Sequence, residues 1–216
     1  MIIRQMALGP IQANCFILGC EQTRQAVVID PGDDTDRILR TLAADRLKVV
    51  HIINTHGHFD HVGANKRLKE VTQADILIHR KDAPMLSQLS ATAAAWGLAA
   101  ENSPAAGRLL EDGDTITFGT HTLTVLHTPG HTPGGICLYT EYEADGASRK
   151  AVFVGDTLFA GSIGRTDFPG GDYDTLIDSI RTKLFRLDDT VTVYPGHMGS
   201  TTIGAEKRSN PFCGLG

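Results

Sequence analysis

Cysteine is scarce in this chain of 216 residues, and the four present, Cys15, Cys20, Cys137 and Cys213, contain no CxxC pair. Such spacing excludes a disulfide scaffold and points to reduced thiols in a cytoplasmic protein. Cys15 in an apolar run and Cys137 in a strand-like one read as small buried hydrophobes. Long hydrophobic runs are missing too. The opening MIIRQMALGPIQANCFILG carries Arg4, and Gly9-Pro10 breaks it before an export segment can form, so neither a secretory signal nor a spanning helix is expected. Lys and Arg never form a run, and the formal net charge is −5. That balance exerts no long-range pull on phosphate backbones, which argues against a nucleic-acid partner. The remainder, 41% hydrophobic and 21% charged, is ordinary for a globular protein. Its length suits one large domain, so residues 1–216 are read as a single domain.

Short runs rich in β-branched residues recur at Cys15–Leu18, Ala26–Ile29, Val49–Ile53, Ile76–Ile78, Thr122–Leu126, Ile136–Tyr139, Ala151–Val154 and Thr190–Tyr194, each bounded by Gly, Pro, Asp or Asn. Helical spacing appears in Asp34–Ala44 through Ile38, Leu39 and Leu42, and in Leu176–Phe185 through Leu176, Ile177, Ile180 and Leu184. Both begin near Asp or Thr, as an N-terminal cap requires. The mixed order predicts an α/β (α+β) fold in which helices cover sheets. Each half also ends a strand in a histidine-bearing loop, VVHIINTHGHFDH and VTVYPGH, as a distant duplication would. The alanine-rich stretch Pro84–Gly107 holds the one tryptophan, Trp96, and reads as a helical insertion flanking a site.

The densest chemistry lies in INTHGHFDHVG, where His56, His58, Asp60 and His61 occupy six positions between the strand Val49–Ile53 and a helix start. Alternation in extended chain would send His56, His58 and Asp60 one way and His61 another, so one turn could serve two centres. Clustered imidazoles and carboxylates are what divalent metals require. His131 in HTPGHTPGG, Asp156 in FVGDT and His197 in YPGH each follow a strand's C-terminal end, which implies one rim of ligands. Asp30, Thr55 and Thr128 are placed to orient the imidazoles. His51, His79, His121 and His127 read as structural.

The set His56-x-His58-x-Asp60-His61, then His131, Asp156 and His197, resembles the full ligand set of the metallo-β-lactamase superfamily, with likeness running from VVIDPG to YPGH. The resemblance implies a four-layer αββα sandwich and two divalent ions, zinc first, with iron or manganese possible. It assigns His56, His58 and His131 to one ion, Asp60, His61 and His197 to the other, and Asp156 to both. By the same likeness Asp60 is catalytic, orienting a bridging hydroxide.

Within the superfamily, Asp156 stands where true lactamases resemble one another in lacking aspartate, and histidine at 58 instead of glutamate departs from the diiron flavoproteins. GDTLFAGSIGRTDFPGG and GAEKRSNPF are similar to the glyoxalase II-like branch. That implies hydrolysis of an S-lactoylglutathione-like thioester, a small-molecule substrate, with Arg165 on a glutathione carboxylate. Nineteen residues follow His197, so the helical C-terminal domain of typical members is expected to be absent, and Asp167 replaces a common aromatic. The alternative is a persulfide dioxygenase, which shares GRTDF and holds one iron through the equivalents of His56, His131 and Asp156. No membrane role is expected, and the oligomeric state is open.

Overall fold

Ile2–Leu8 (β1) is partly or fully exposed except at Met6 and Leu8, whereas Ala13–Gly19 (β2) is buried throughout and Gln25–Ile29 (β3) is buried from its second residue. The first pattern marks an edge strand and the others the interior of a sheet covered on both faces. Arg4 on β1 makes a two-toothed contact with Asp45 at 2.8 and 3.0 Å, which keeps that edge charged. The computed structural model describes residues 1–216 and divides them into two units, Met1–Leu110 with Thr117–His121, and Glu111–Ile116 with Thr122–Gly216.

In the first unit Thr35–Ala44 (α1) leads to Lys48–Ile53 (β4), Phe59–Val62 (α2), Asn65–Thr72 (α3), Asp75–His79 (β5), Leu89–Ala94 (α4) and Arg108–Leu110 (β6). The six strands pair in sequence order, antiparallel through β3 and parallel from β3 to β6. Ile17, Val28, Ile52 and Ile76 from the sheet pack with Ile38 and Leu42 of α1 and Leu68 of α3. Burying each such side chain contributes about 1.5–3 kcal/mol. The expected cap of α1 is not formed: Asp34 is left-handed at φ 47° and makes no capping bond. Pro84–Gly107 is only partly helical, comprising a 3-10 turn over Ala83–Ser87, then α4, then irregular chain.

Thr115–Phe118 (β7) and His121–His127 (β8) belong to the second unit except for residues 117–121, and that unit further contains Ile136–Ala144 (β9), Ala147–Gly155 (β10), the small hairpin Leu158–Phe159 (β11) and Ser162–Ile163 (β12), Tyr173–Thr182 (α5), Thr192–Pro195 (β13), Thr201–Thr202 (β14) and Ile203–Ser209 (α6). Its larger sheet has the order β7-β8-β9-β10-β13-β14, with β10 and β13 parallel around α5. Val152, Val154 and Val193 of that sheet pack with Leu176 and Ile180 of α5 and Ile203 of α6. α5 starts three residues before the predicted stripe, where Asp172 accepts a capping bond from the Thr175 amide at 2.8 Å. The last predicted strand begins at Thr192 because Val191 closes a turn onto the Asp188 carbonyl. Both sheets therefore mix parallel and antiparallel pairs, and the mixed α/β class predicted above is the one observed. No helix is long and apolar enough to cross a membrane.

Candidate metal centre

The histidine-rich turn follows the C-terminal end of β4, but it is not extended throughout. His58 is extended and opens α2, whose turn carries Asp60 and His61. The helical step after Phe59, and not strand alternation, thus sets the direction of Asp60 and His61. The ring centroids of His56 lie 4.8 Å from His58 and 4.2 Å from His61, and His61 Nε2 is 3.6 Å from Asp60 Oδ2. Two glycines permit this crowding. A Cβ on Gly32 would sit 1.8 Å from the Asp60 carbonyl, and one on Gly57 would sit 2.7 Å from Met85 Cβ.

Beneath the turn lies Asp30, 1% exposed. Its Oδ1 accepts from the Thr55 amide at 2.7 Å, and its Oδ2 accepts from the Thr55 hydroxyl at 2.6 Å and from His61 Nδ1 at 3.1 Å. A carboxylate can only accept, so the His61 proton is on Nδ1. Because the Thr55 hydroxyl donates to Asp30, its oxygen is left to accept from His56 Nδ1 at 3.1 Å. In its neutral form each of these imidazoles therefore presents Nε2 as a lone pair. Ligand atoms of Asp30, His56 and His61 all lie within 4.8 Å of one another, yet Asp30 is spent on the Nδ1 side and orients the ligands instead of joining them.

The second unit repeats this logic. His131, Asp156 and His197 follow β8, β10 and β13. Asp156 Oδ2 lies 3.7 Å from His131 Nε2 and 3.6 Å from His197 Nε2. His131 Nδ1 donates to the Arg165 carbonyl at 2.7 Å, which again leaves Nε2 for a cation. Donor atoms of one tetrahedral zinc stand roughly 3.3–3.4 Å apart, given bonds of about 2.0–2.1 Å. At 3.7 and 3.6 Å, the carboxylate stands within about 0.4 Å of that spacing from each imidazole. The donor set fits a divalent metal on two counts, ligand type and proton position. His56, His61 and His131 are buried, whereas His58, Asp60, Asp156 and His197 are partly exposed.

Arg165 is half exposed, donates from Nε and Nη2 to Asp167 at 2.8 and 2.7 Å, and stacks 3.7 Å above the Phe168 ring centroid. The paired guanidinium holds the Asp167 carboxyl down at about 2. Of the three residues expected to orient imidazoles, Asp30 and Thr55 do so. Thr128 does not: its hydroxyl lies 3.1 Å from that of Thr157 and 3.2 Å from Cys137 Sγ, under the chain that carries Asp156. Asp82, fully buried, has no sequence signal of its own. Its Oδ2 accepts the Gly57 amide at 3.1 Å and so pins the His56–His58 turn. The remaining histidines make local contacts: His51 is half-buried in β4, His79 Nδ1 accepts the Lys81 amide, His121 is 3.6 Å from Glu21, and His127 Nε2 faces the Pro133 carbonyl.

Residues 8–197 match the metallo-beta-lactamase superfamily. The chain belongs to that superfamily. Members are metal-binding enzymes and include hydrolases. Hydroxyacylglutathione hydrolase GloC of Haemophilus influenzae is 39% identical over 98% of both chains. The mitochondrial persulfide dioxygenase ETHE1 of Bos taurus is 29% identical over 98% of this chain and 75% of its own. Among solved structures, the B3 metallo-beta-lactamase BLEG-1 has a TM-score of 0.89 at 36% identity, covering 98% of this chain and 99% of its own. TTHA1623 in a di-iron-bound form has a TM-score of 0.84 at 40% identity, covering 97% and 99%. The superfamily fold predicted from the ligand pattern is thus the fold of this chain.

Proposed function

We propose that the chain is a cytoplasmic metal-dependent thioesterase acting on S-lactoylglutathione-like thioesters, working as one domain over residues 1–216 with two divalent ions, zinc first and iron or manganese as substitutes. His56, His58 and His131 would hold one ion, Asp60, His61 and His197 the other, and Asp156 both. The observation that carries this reading is the Asp156 carboxylate oxygen, 3.6–3.7 Å from the Nε2 atoms of two histidines that the proposal assigns to different ions. Such a pair of ions supplies a water activated near neutral pH and a clamp for the acyl oxygen.

The chain's own groups do the rest. Asp30, through Thr55, and the Arg165 carbonyl hold three imidazoles with the proton on Nδ1. Asp60 would orient the attacking water through its carboxylate. Water oxygen joins the carbonyl carbon, the carbon–sulfur bond breaks, and the thiolate leaves with a proton, giving a hydroxy acid and a thiol. Arg165, with two N–H positions engaged by Asp167, uses Nη1 toward a carboxylate of the thiol carrier. The 39% identical hydroxyacylglutathione hydrolase supports this substrate class.

The second reading is a mononuclear-iron persulfide dioxygenase using His56, His131 and Asp156, favoured by the bovine relative. One experiment separates them. Protein purified without added metal is analysed for zinc, iron and manganese, then assayed for S-lactoylglutathione hydrolysis, for oxygen uptake with glutathione persulfide, and for opening of a chromogenic β-lactam, since BLEG-1 is so similar. About two metal ions per chain with thioester turnover supports the proposal. A single iron with oxygen uptake, or turnover confined to the β-lactam, overturns it.

A further inference from the structure

A cavity of about 100 Å³ lies within the first unit, bounded by the turn between β1 and β2, the Gly32-Asp33 turn after β3, α2, and the chain that follows α4. Ile11, Phe59, Leu98 and Ala100 give it carbon walls, and one side is Asp60. Its only charged lining residues are the carboxylates Asp33 and Asp60; no lysine, arginine or histidine contributes. The walls are tied down. The Gln12 amide returns to the Gly9 carbonyl at 3.3 Å, the Leu98 amide to Ala93 at 3.0 Å, and Asn102 Oδ1 accepts the Ser90 amide at 3.0 Å. Gly9 is left-handed at φ 64°, and a Cβ there would lie 2.8 Å from Asp33 Oδ2, so the turn and Asp33 meet only because that residue is glycine.

We propose that this cavity receives the uncharged acyl chain of the substrate and sets its length, an inference that rests on the hydrolase reading above. Asp60, which the hydrolase reading makes a metal ligand, forms part of its wall, so the cavity borders the reaction site that reading assigns. At roughly 10–15 Å³ per water-sized group, the space of about 100 Å³ admits about seven to ten such groups, more than a lactoyl chain fills. A carboxylate tail would face Asp33 with no cation to meet it. The glutathione half of a thioester is anionic and is therefore directed away from this cavity. The enzyme prefers apolar acyl chains longer than lactoyl.

The test is binding of straight-chain hydroxamic acids, from two to six carbons, to the zinc-loaded full chain by titration calorimetry. These probes place an alkyl chain where the acyl chain would lie. Affinity is expected to rise about threefold to fourfold per methylene until the cavity is full. Adipic monohydroxamic acid, with a terminal carboxylate, should bind at least tenfold more weakly than its six-carbon neutral counterpart. Ala99→Trp, at an exposed wall position, should flatten the length dependence, and Ile11→Ala should make it shallower. A flat series in the wild type, an unchanged slope in both variants, or equal binding of the carboxylated probe overturns the inference while leaving the hydrolase reading intact. Zinc-loaded protein that binds no hydroxamate at all overturns both.

Discussion

Replacing Asp30 by Asn tests whether proton position, and not merely ligand presence, makes this site. Asparagine preserves volume and can still accept the Thr55 amide, but it puts an N–H₂ donor where Oδ2 meets the Thr55 hydroxyl and His61 Nδ1. Two donors then face a donor. The Thr55 hydroxyl must turn, the His56 contact loses its acceptor, and His61 is driven toward the tautomer with its proton on Nε2. Loss of such an orienting partner costs about 10–100-fold in metal affinity, or about 1.4–2.7 kcal/mol. Stability of the metal-free protein should change less, because a buried carboxylate carries its own desolvation cost, which the substitution removes. The assay is zinc affinity by chelator competition at pH 7, beside urea unfolding of the metal-free chain. Thr55→Val should weaken zinc through His56 alone, and the double variant should fall short of the sum, since both act in one network. Unchanged zinc affinity in Asp30→Asn, or full additivity with Thr55→Val, would refute the reasoning.

Asp156→Ala should abolish thioester turnover and lower the metal content of purified protein; full activity would defeat the bridging assignment. Gly130 is left-handed at φ 131°, and a Cβ there would lie 2.4 Å from the backbone nitrogen of Leu176. Gly130→Ala should therefore cost upward of about 3 kcal/mol in urea unfolding, and a shift under about 1 kcal/mol would contradict the packing of α5 on the His131 loop. Burial in β4 holds the His51 imidazolium below its ordinary range. The unfolded chain consequently binds more protons just below pH 6.5, so stability present above that pH is lost as pH falls through the window beneath it. His51→Leu should flatten the acid limb of the stability curve just below pH 6.5, and a limb identical to wild type would remove His51 as its cause.

What could be read from sequence and what could not divide along a physical line. The strands announce themselves because β3 and β5 are buried beyond their first residue and so carry the apolar runs Ala26–Ile29 and Ile76–Ile78, while β4 keeps Val49, Ile52 and Ile53 buried around a half-buried His51. The donors announce themselves because all seven proposed ligands are either clustered or placed directly after a glycine near a strand's end. Asp82 is silent, since a single aspartate between Lys81 and Ala83 becomes an anchor for Gly57 only when the chain after β5 is laid beside the chain after β4. The short α2 is silent too, because four residues carry no period, and its turn overrides the alternation that the spacing of His56, His58 and Asp60 imitates.

The deeper gap concerns protons. Residue type says that an imidazole can bind a metal; it does not say which nitrogen is offered. That choice is made across 31 residues by Asp30 acting on His61, and across 34 residues by the Arg165 carbonyl acting on His131. The second of these is a backbone group, so no substitution of Arg165 removes it. Arg165→Ala consequently separates two roles that one residue combines: it should weaken binding of an anionic thiol carrier, raising KM, while zinc affinity and the His131 tautomer are retained. A fall in zinc affinity equal to that of Asp30→Asn would mean that the guanidinium, held by Asp167 and Phe168, positions the carbonyl and that the arginine serves the metal ligands before it serves the substrate.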